Sequence, residues 1–162
     1  MQFDTTQIFA ALAIGIGATL AMDVWNLFLK RVFRIPSLNY CMLGRWVRHM
    51  PSAFRHESIA AAASKRRECS VGWIAHYSIG ISMALAFVLL TQGKWLADPT
   101  LLPALLYGIG TIVFPFFIMQ PALGLGIASS QAPKPMQARL KSLGTHTVYG
   151  GGLYIWALVL SV

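Results

Sequence analysis

The sequence predicts an all-α polytopic membrane protein: a bundle of four transmembrane helices with a large basic cytoplasmic loop that contains short interfacial helices. Three observations carry that expectation. Of the 162 residues, 56% are hydrophobic and only 11% charged, whereas an ordinary soluble domain carries about 25% charged residues. Four apolar stretches are each long enough to cross a hydrocarbon core, which takes roughly 20 helical residues. Of the 13 Lys and Arg, set against 5 Asp and Glu, all but Lys94 gather in two of the connections between those stretches. In a soluble chain the formal charge of +8 would suggest nucleic acid. Beside apolar spans it points instead to membrane lipids with anionic headgroups, and no nucleic acid partner is expected. A disordered chain and a secreted disulfide scaffold fit this composition poorly.

The N-terminal tail carries Asp4 and no basic residue, so it lacks the charged start of a cleavable signal peptide and the first apolar run is expected to stay. The spans fall at about 8–29, 71–90, 101–120 and 143–162, within a single transmembrane domain over 1–162. Each contains Gly or Pro, which membrane helices tolerate better than soluble ones do. No stretch sustains the dyad alternation of a barrel strand. In the third span, Pro115 predicts a kink, because proline lacks the N–H that an unbroken helix needs.

Basic residues set the expected orientation. The first connection, 30–70, holds nine: Lys30, Arg31, Arg34, Arg45, Arg48, Arg55, Lys65, Arg66 and Arg67. The third, 121–142, adds Lys134, Arg139 and Lys141, whereas the second has Lys94 alone. Both basic loops therefore belong in the cytoplasm and both termini outside. Cys41 and Cys69 then lie on the reducing side, where no structural disulfide is expected. Trp73 and Trp95 flank the second span as interfacial aromatics do.

Within the first connection, Pro36 and Ser37 read as the start of a short helix over 38–50. Leu43, Trp46, Val47 and Met50 share one face of it, and Arg45, Arg48 and His49 the other. Such a helix is expected to lie in the headgroup layer with its apolar side down. Each basic residue near anionic lipid contributes about 1 kcal/mol to holding it there. A second short helix is expected around 58–65. In the third connection, the Gly-rich run from Pro121 to Ser130 fits a re-entrant loop lining a cavity; it is no dinucleotide fingerprint.

An internal echo links the halves. Gly15-Ile16-Gly17 in the first span matches Gly108-Ile109-Gly110 in the third, and His76 with Gly80 in the second matches His146 with Gly150 in the fourth. Both pairs would cross the membrane in the same sense, as a parallel duplication of a two-helix unit does. The small-residue faces are also compatible with a homodimer.

Ionisable residues inside spans are costly, at least ~2.5–3.5 kcal/mol for an aspartate at a helix centre. Asp23, His76 and His146 all fall a turn or two below the cytoplasmic surface. Helical spacing sets Gly15, Thr19, Met22 or Asp23, and Asn26 on one stripe, Gly72, His76, Gly80 and Ala84 on another, and Ser142, His146, Gly150 and Tyr154 on a third. Small neighbours allow helices to approach closely there.

Two histidines and a carboxylate suit a divalent metal ion such as zinc or iron, and His76 with His146 also suit a haem iron held from both sides. His49 and His56, in the cytoplasmic loop, are further candidate ligands over the mouth, and Cys69 a weaker one. A metal or haem site there, with redox or hydrolytic chemistry on a small or lipophilic substrate, is the leading expectation; the alternative is that Asp23 serves a proton relay or is a cation-binding charge in a small transporter. A third reading is an Asp–His hydrogen bond that only joins helices, contributing roughly 1 kcal/mol. No Walker loop, serine nucleophile elbow, His-Glu-x-x-His zinc motif or Cys-x-x-Cys-His haem attachment occurs, so no reaction is assigned and covalent haem is excluded.

Four runs together carry a family resemblance: Gly17-Ala18-Thr19-Leu20-Ala21-Met22-Asp23; Pro36-Ser37-Leu38-Asn39-Tyr40 with Gly44-Arg45-Trp46; Gly72-Trp73-Ile74-Ala75-His76-Tyr77; and Met119-Gln120-Pro121-Ala122. The chain resembles, over nearly its whole length, a bacterial inner-membrane family catalogued as a domain of unknown function. The resemblance implies four spans and a bacterial cytoplasmic membrane. It implies no ligand or reaction.

Overall fold

A computed structural model describes residues 4–160, and every regular element among them is helical. The helices are α1 (Thr5–Val32), α2 (Tyr40–His49), α3 (Glu68–Leu90), α4 (Lys94–Ala97), α5 (Leu101–Gly110), α6 (Gln120–Ala122) and α7 (Pro135–Leu160). A π-helical segment, Pro115–Met119, precedes α6, and a 3₁₀ turn, Ile127–Ser129, follows it. Three stretches are long and apolar enough to cross a membrane: Thr5–Val32, Glu68–Leu90 and Leu101–Ala122. The expected fourth span lies in α7, which opens on a polar half holding Arg139 and Lys141; its last two positions, 161–162, fall outside the described residues. Large apolar side chains such as Phe9, Val24, Leu90, Leu102 and Leu106 stand more than half exposed, as a lipid-facing surface requires and a water-facing one rarely allows.

Local chemistry sets the ends. Asp4 caps α1 by accepting from the Thr6 N–H, and Lys30 and Arg31 in its last turn complement the helix dipole. The chain leaves α1 through Arg34 at φ 54, with the Ile35 N–H bonded to the Leu29 carbonyl, a Schellman closure that glycine usually makes. The third stretch is irregular midway: α5 ends at Gly110, Thr111 and Ile112 form a turn, and Gln120 donates to the Pro115 carbonyl five residues back. Pro115 has no N–H to give to a preceding carbonyl, so one helical bond is missing there.

The chain forms two compact units. One comprises the described parts of Met1–Pro36, Tyr77–Thr111 and Gly144–Val162; the other is Ser37–His76 with Ile112–Leu143.

The first unit packs on small residues. A Cβ added to Gly15 would lie 2.7 Å from the Ile81 Cα, and one added to Gly152 2.8 Å from the Ala18 Cα. Gly80 meets Thr19, while Gly108 and Gly150 press α5 against α7 with backbones in contact. The expected stripes are thus the packing faces, and the internal echo reappears as packing. In each half, the glycine four residues after the histidine seats against the preceding helix, Gly80 on α1 and Gly150 on α5. Ile14, Ala18, Ala84, Phe87, Tyr149 and Leu153 fill the core between them. Trp95 belongs to this core, not to a membrane interface. It is 6% exposed, packs 4.7 Å from the Phe87 ring and donates to the Thr100 carbonyl.

The second unit corrects several expectations about the first connection. α2 starts two residues later than expected, at Tyr40, because Asn39 supplies the cap by accepting from the Cys41 N–H at 2.9 Å. Its apolar face does not rest on lipid: Leu43 and Trp46 are buried with Ile59, Ala122 and Leu123, and the Trp46 indole donates to the Phe54 carbonyl. Its polar face is turned to protein as well. Arg45 makes a two-point pair with Glu68, 2.9 Å to Oε2 and 2.7 Å to Oε1, and also donates to the Ile59, Ala60 and Ala62 carbonyls. Those carbonyls explain why 58–65 is a series of turns and not the expected helix. They point at a guanidinium, so they are lost to i→i+4 bonding.

Cys41 and Cys69 are joined in a disulfide, against the expectation drawn from compartment. α2 folds back on the first turns of α3 until the two Cα atoms are 3.8 Å apart. Gly44 and Gly72 allow this approach, since a Cβ on either would run into the Glu68 or Tyr40 carbonyl. Spatial proximity decides whether the bond can form, and twenty-eight residues of sequence gave no hint of it.

Candidate functional site

Each of the three ionisable residues singled out in the spans has a hydroxyl partner of its own. On α1, Asp23 is half-buried and its Oδ2 accepts from the Tyr77 hydroxyl of α3 at 3.0 Å. One turn on, Asn26 is buried and takes a long hydrogen bond, 3.5 Å, from the Thr145 hydroxyl of α7. Beside them, the Trp25 indole N–H is buried with no acceptor among the described residues and faces Gly144.

On α7, His146 Nδ1 lies 2.8 Å from the Thr111 hydroxyl. That hydroxyl donates its single proton to the Gly108 carbonyl at 2.6 Å. It can therefore only accept from the ring, which fixes His146 as the Nδ1–H tautomer and leaves the lone pair on Nε2.

The α1–α7 contacts give the relative heights. Ala18 meets Gly152 and Asn26 meets Thr145, so the antiparallel pairing brings Asp23 level with His146 to within about one turn, 5.4 Å of rise. Within the first unit these two residues therefore sit at a similar height along the paired helices; His76 belongs to the second unit.

In the second unit, His76 stacks on Tyr40 with ring centroids 4.3 Å apart, and its Nε2 is 3.1 Å from the Tyr40 hydroxyl. The Trp73 ring closes the group at 4.4 Å from Tyr40. His49 and His56 do come together, their rings 5.4 Å apart in an edge-to-face contact. Each spends Nε2 on a carbonyl, His49 on Ala63 and His56 on Ala53. Since carbonyls only accept, both carry the proton on Nε2 and present Nδ1 as acceptor when neutral. Cys69 is not a thiolate ligand, its sulfur being bonded to Cys41. Among the described residues, no three His, Cys, Asp or Glu side chains are grouped to hold a metal ion.

The residues missed by sequence reasoning are these hydroxyl partners, Tyr77, Tyr40 and Thr111. Tyr77 adjoins His76 and could have been suspected on that ground. Tyr40 is 36 residues away and Thr111 35 residues away from their histidines, with nothing local to connect them.

A family model for proteins of unknown function, DUF2938, matches residues 12–160. The chain belongs to that family. The match takes in Asp23, His76 and His146 with all three hydroxyl partners, and the four motif runs quoted above lie inside it. No curated protein and no solved structure matches the chain.

Proposed function

We propose that this DUF2938 protein is a four-span protein of a bacterial inner membrane and a small transporter or pathway for protons or cations, with Asp23 as the binding charge. In this reading the spans are 8–29, 71–90, 101–120 and 143–162, the basic loops 30–70 and 121–142 lie in the cytoplasm beside anionic headgroups, and both termini are outside. The observation that carries the reading is the Tyr77–Asp23 hydrogen bond. The Tyr77 hydroxyl donates to a carboxylate oxygen and carries no charge of its own, so it positions Asp23 for exchange of a proton or contact with a cation. His146 Nε2, a lone pair on a ring fixed by Thr111, supplies a second proton acceptor at the same height.

The test is ion flux in proteoliposomes loaded with a pH-sensitive dye. Wild type is expected to conduct above empty vesicles, Asp23→Asn to abolish flux with the fold retained, and Tyr77→Phe to slow it by roughly ten- to a hundredfold, as loss of a hydrogen bond to a charged group costs about 1.5–3 kcal/mol. Wild-type flux no faster than empty vesicles, or an active Asp23→Asn protein, overturns the proposal.

The lone pair left on His146 Nε2 also favours a second reading, a divalent metal ion (zinc or iron) or haem bound through His146. Bound metal would supply Lewis-acid or redox chemistry on a small or lipophilic substrate. Elemental analysis of protein purified without a histidine tag separates the two. Near-stoichiometric metal, lost in His146→Ala, supports this reading; absence of metal sends it aside.

A further inference from the structure

The second unit holds a cavity of about 570 Å³, lined by Arg55, Glu57, Pro121, Ile127, Ser130 and Gln131 among others. Its size lies in the range of small-molecule sites, about 300–1,000 Å³. The site is built where the two basic connections are fastened together. His56 N–H donates to the Ala122 carbonyl at 3.0 Å and Ile59 N–H to the Leu123 carbonyl at 3.1 Å. Gly124, at φ 86, sits so close to the Glu57 carbonyl that a Cβ there would be 2.0 Å away.

Two opposite charges face this cavity. Arg55 and Glu57, two residues apart in a stretch with no helical turn, both line it and both are exposed. Among the described residues, no salt bridge joins Arg55 to Glu57; the pair that does form is Arg45–Glu68. Ser130 and Gln131 add neutral hydrogen-bonding groups, while Pro121 and Ile127 give an apolar wall.

An anion alone would meet the Glu57 carboxylate, and a cation alone the Arg55 guanidinium. A molecule carrying a phosphate and an ammonium two methylenes apart satisfies both. The planar fork of Arg55 suits phosphate oxygens, and the carboxylate suits the ammonium. We infer that this cavity binds a phosphate–ammonium zwitterion of the ethanolamine type, a role independent of ion passage at Asp23. Two sources share that chemistry: the headgroup of a phospholipid and free phosphoethanolamine.

The full chain in detergent micelles is titrated by calorimetry with dihexanoyl phosphatidylethanolamine, dihexanoyl phosphatidylglycerol and free phosphoethanolamine. Saturable binding of the ethanolamine lipid is expected, at least tenfold tighter than the glycerol lipid, which has the phosphodiester and lacks the ammonium. Arg55→Gln is expected to weaken both lipids, and Glu57→Gln the ethanolamine lipid alone, each by about tenfold, the equivalent of 1.4 kcal/mol. Both side chains are exposed, so both variants are expected to fold, with wild-type unfolding temperature as the control. Free phosphoethanolamine that binds as tightly as the lipid assigns the site to a soluble zwitterion; binding of the lipid alone assigns it to the membrane. No saturable binding, equal affinity for the two lipids, or unchanged affinity in both variants overturns the inference.

Discussion

Gly150 and Gly151 are neighbours on α7 and meet opposite surroundings, so replacing each by alanine isolates what helix contact contributes to this bundle. A Cβ on Gly150 would stand 2.6 Å from the Ala104 carbonyl oxygen and 2.9 Å from the Leu105 Cα, whereas one on Gly151 meets nothing within 4 Å. The obstacles at Gly150 are backbone atoms, which no rotamer change removes; α5 and α7 must part by several tenths of an ångström. Inserting a methyl into such a contact costs about 1–3 kcal/mol. Alanine in place of glycine within a helix returns roughly 0.5–1 kcal/mol at either site. Gly151→Ala is therefore expected to be stabilising by about 0.5–1 kcal/mol. Gly150→Ala should come out about 1–3 kcal/mol worse than Gly151→Ala, because the propensity gain is common to both and cancels in the difference. Equilibrium unfolding in mixed micelles, followed by tryptophan fluorescence, measures that difference. Equal stability of the two variants would refute the claim that α5 and α7 are in backbone contact.

Replacing both Cys41 and Cys69 by serine releases a link that closes 28 residues of chain, and a loop of that length predicts a loss of roughly 3–4 kcal/mol in unfolding free energy; an unchanged midpoint in protein purified without reductant would show that the bond is absent there. Gly124→Ala is expected to part the two basic connections, because a Cβ would meet the Glu57 carbonyl; faster hydrogen exchange at the His56 and Ile59 amides reads this directly, and unchanged protection would contradict it. Thr111→Val removes the acceptor that orients His146. The ¹⁵N shifts of the ring are expected to move towards a tautomer mixture, whereas an unaltered Nδ1–H pattern would show that Thr111 does not set it.

The helical class, the long apolar stretches and the small-residue stripes were legible because membrane solvation imposes a periodicity that one sequence displays. Gly15, Thr19 and Asp23 on α1, and Gly80 and Ala84 on α3, all face neighbouring helices as their spacing predicts. The candidate site was legible only in part. The height of Asp23 and His146 follows from counting residues, whereas Thr111 and Tyr40 reach their histidines through tertiary contacts that no local pattern encodes. α2 shows the same limit from another side. Its amphipathic pattern is real, yet periodicity says only that one face is apolar, not whether lipid or Ile59, Ala122 and Leu123 will cover it. Arg45 reads in sequence as one more surface charge of a basic loop, and its role depends on Glu68 and three carbonyls that come later in the chain.

That dependence has a consequence for how the chain is made. Apart from its Asn39 cap, what holds α2 is C-terminal to it: the carbonyls of 59–62, Glu68, Cys69, and finally Ala122 and Leu123 of its core. At synthesis rates of about 5–20 residues per second, the interval between α2 leaving the ribosome and the arrival of Leu123 is several seconds. Over that interval Leu43 and Trp46 have no finished core to enter, and nascent Cys41 exists as a thiol before Cys69 has been added. The first basic connection is thus among the earliest segments translated and among the last to mature. A ribosome stalled shortly before codon 122 should carry a chain whose α2 is readily cut by protease, and one stalled well beyond codon 123 a chain in which it is shielded.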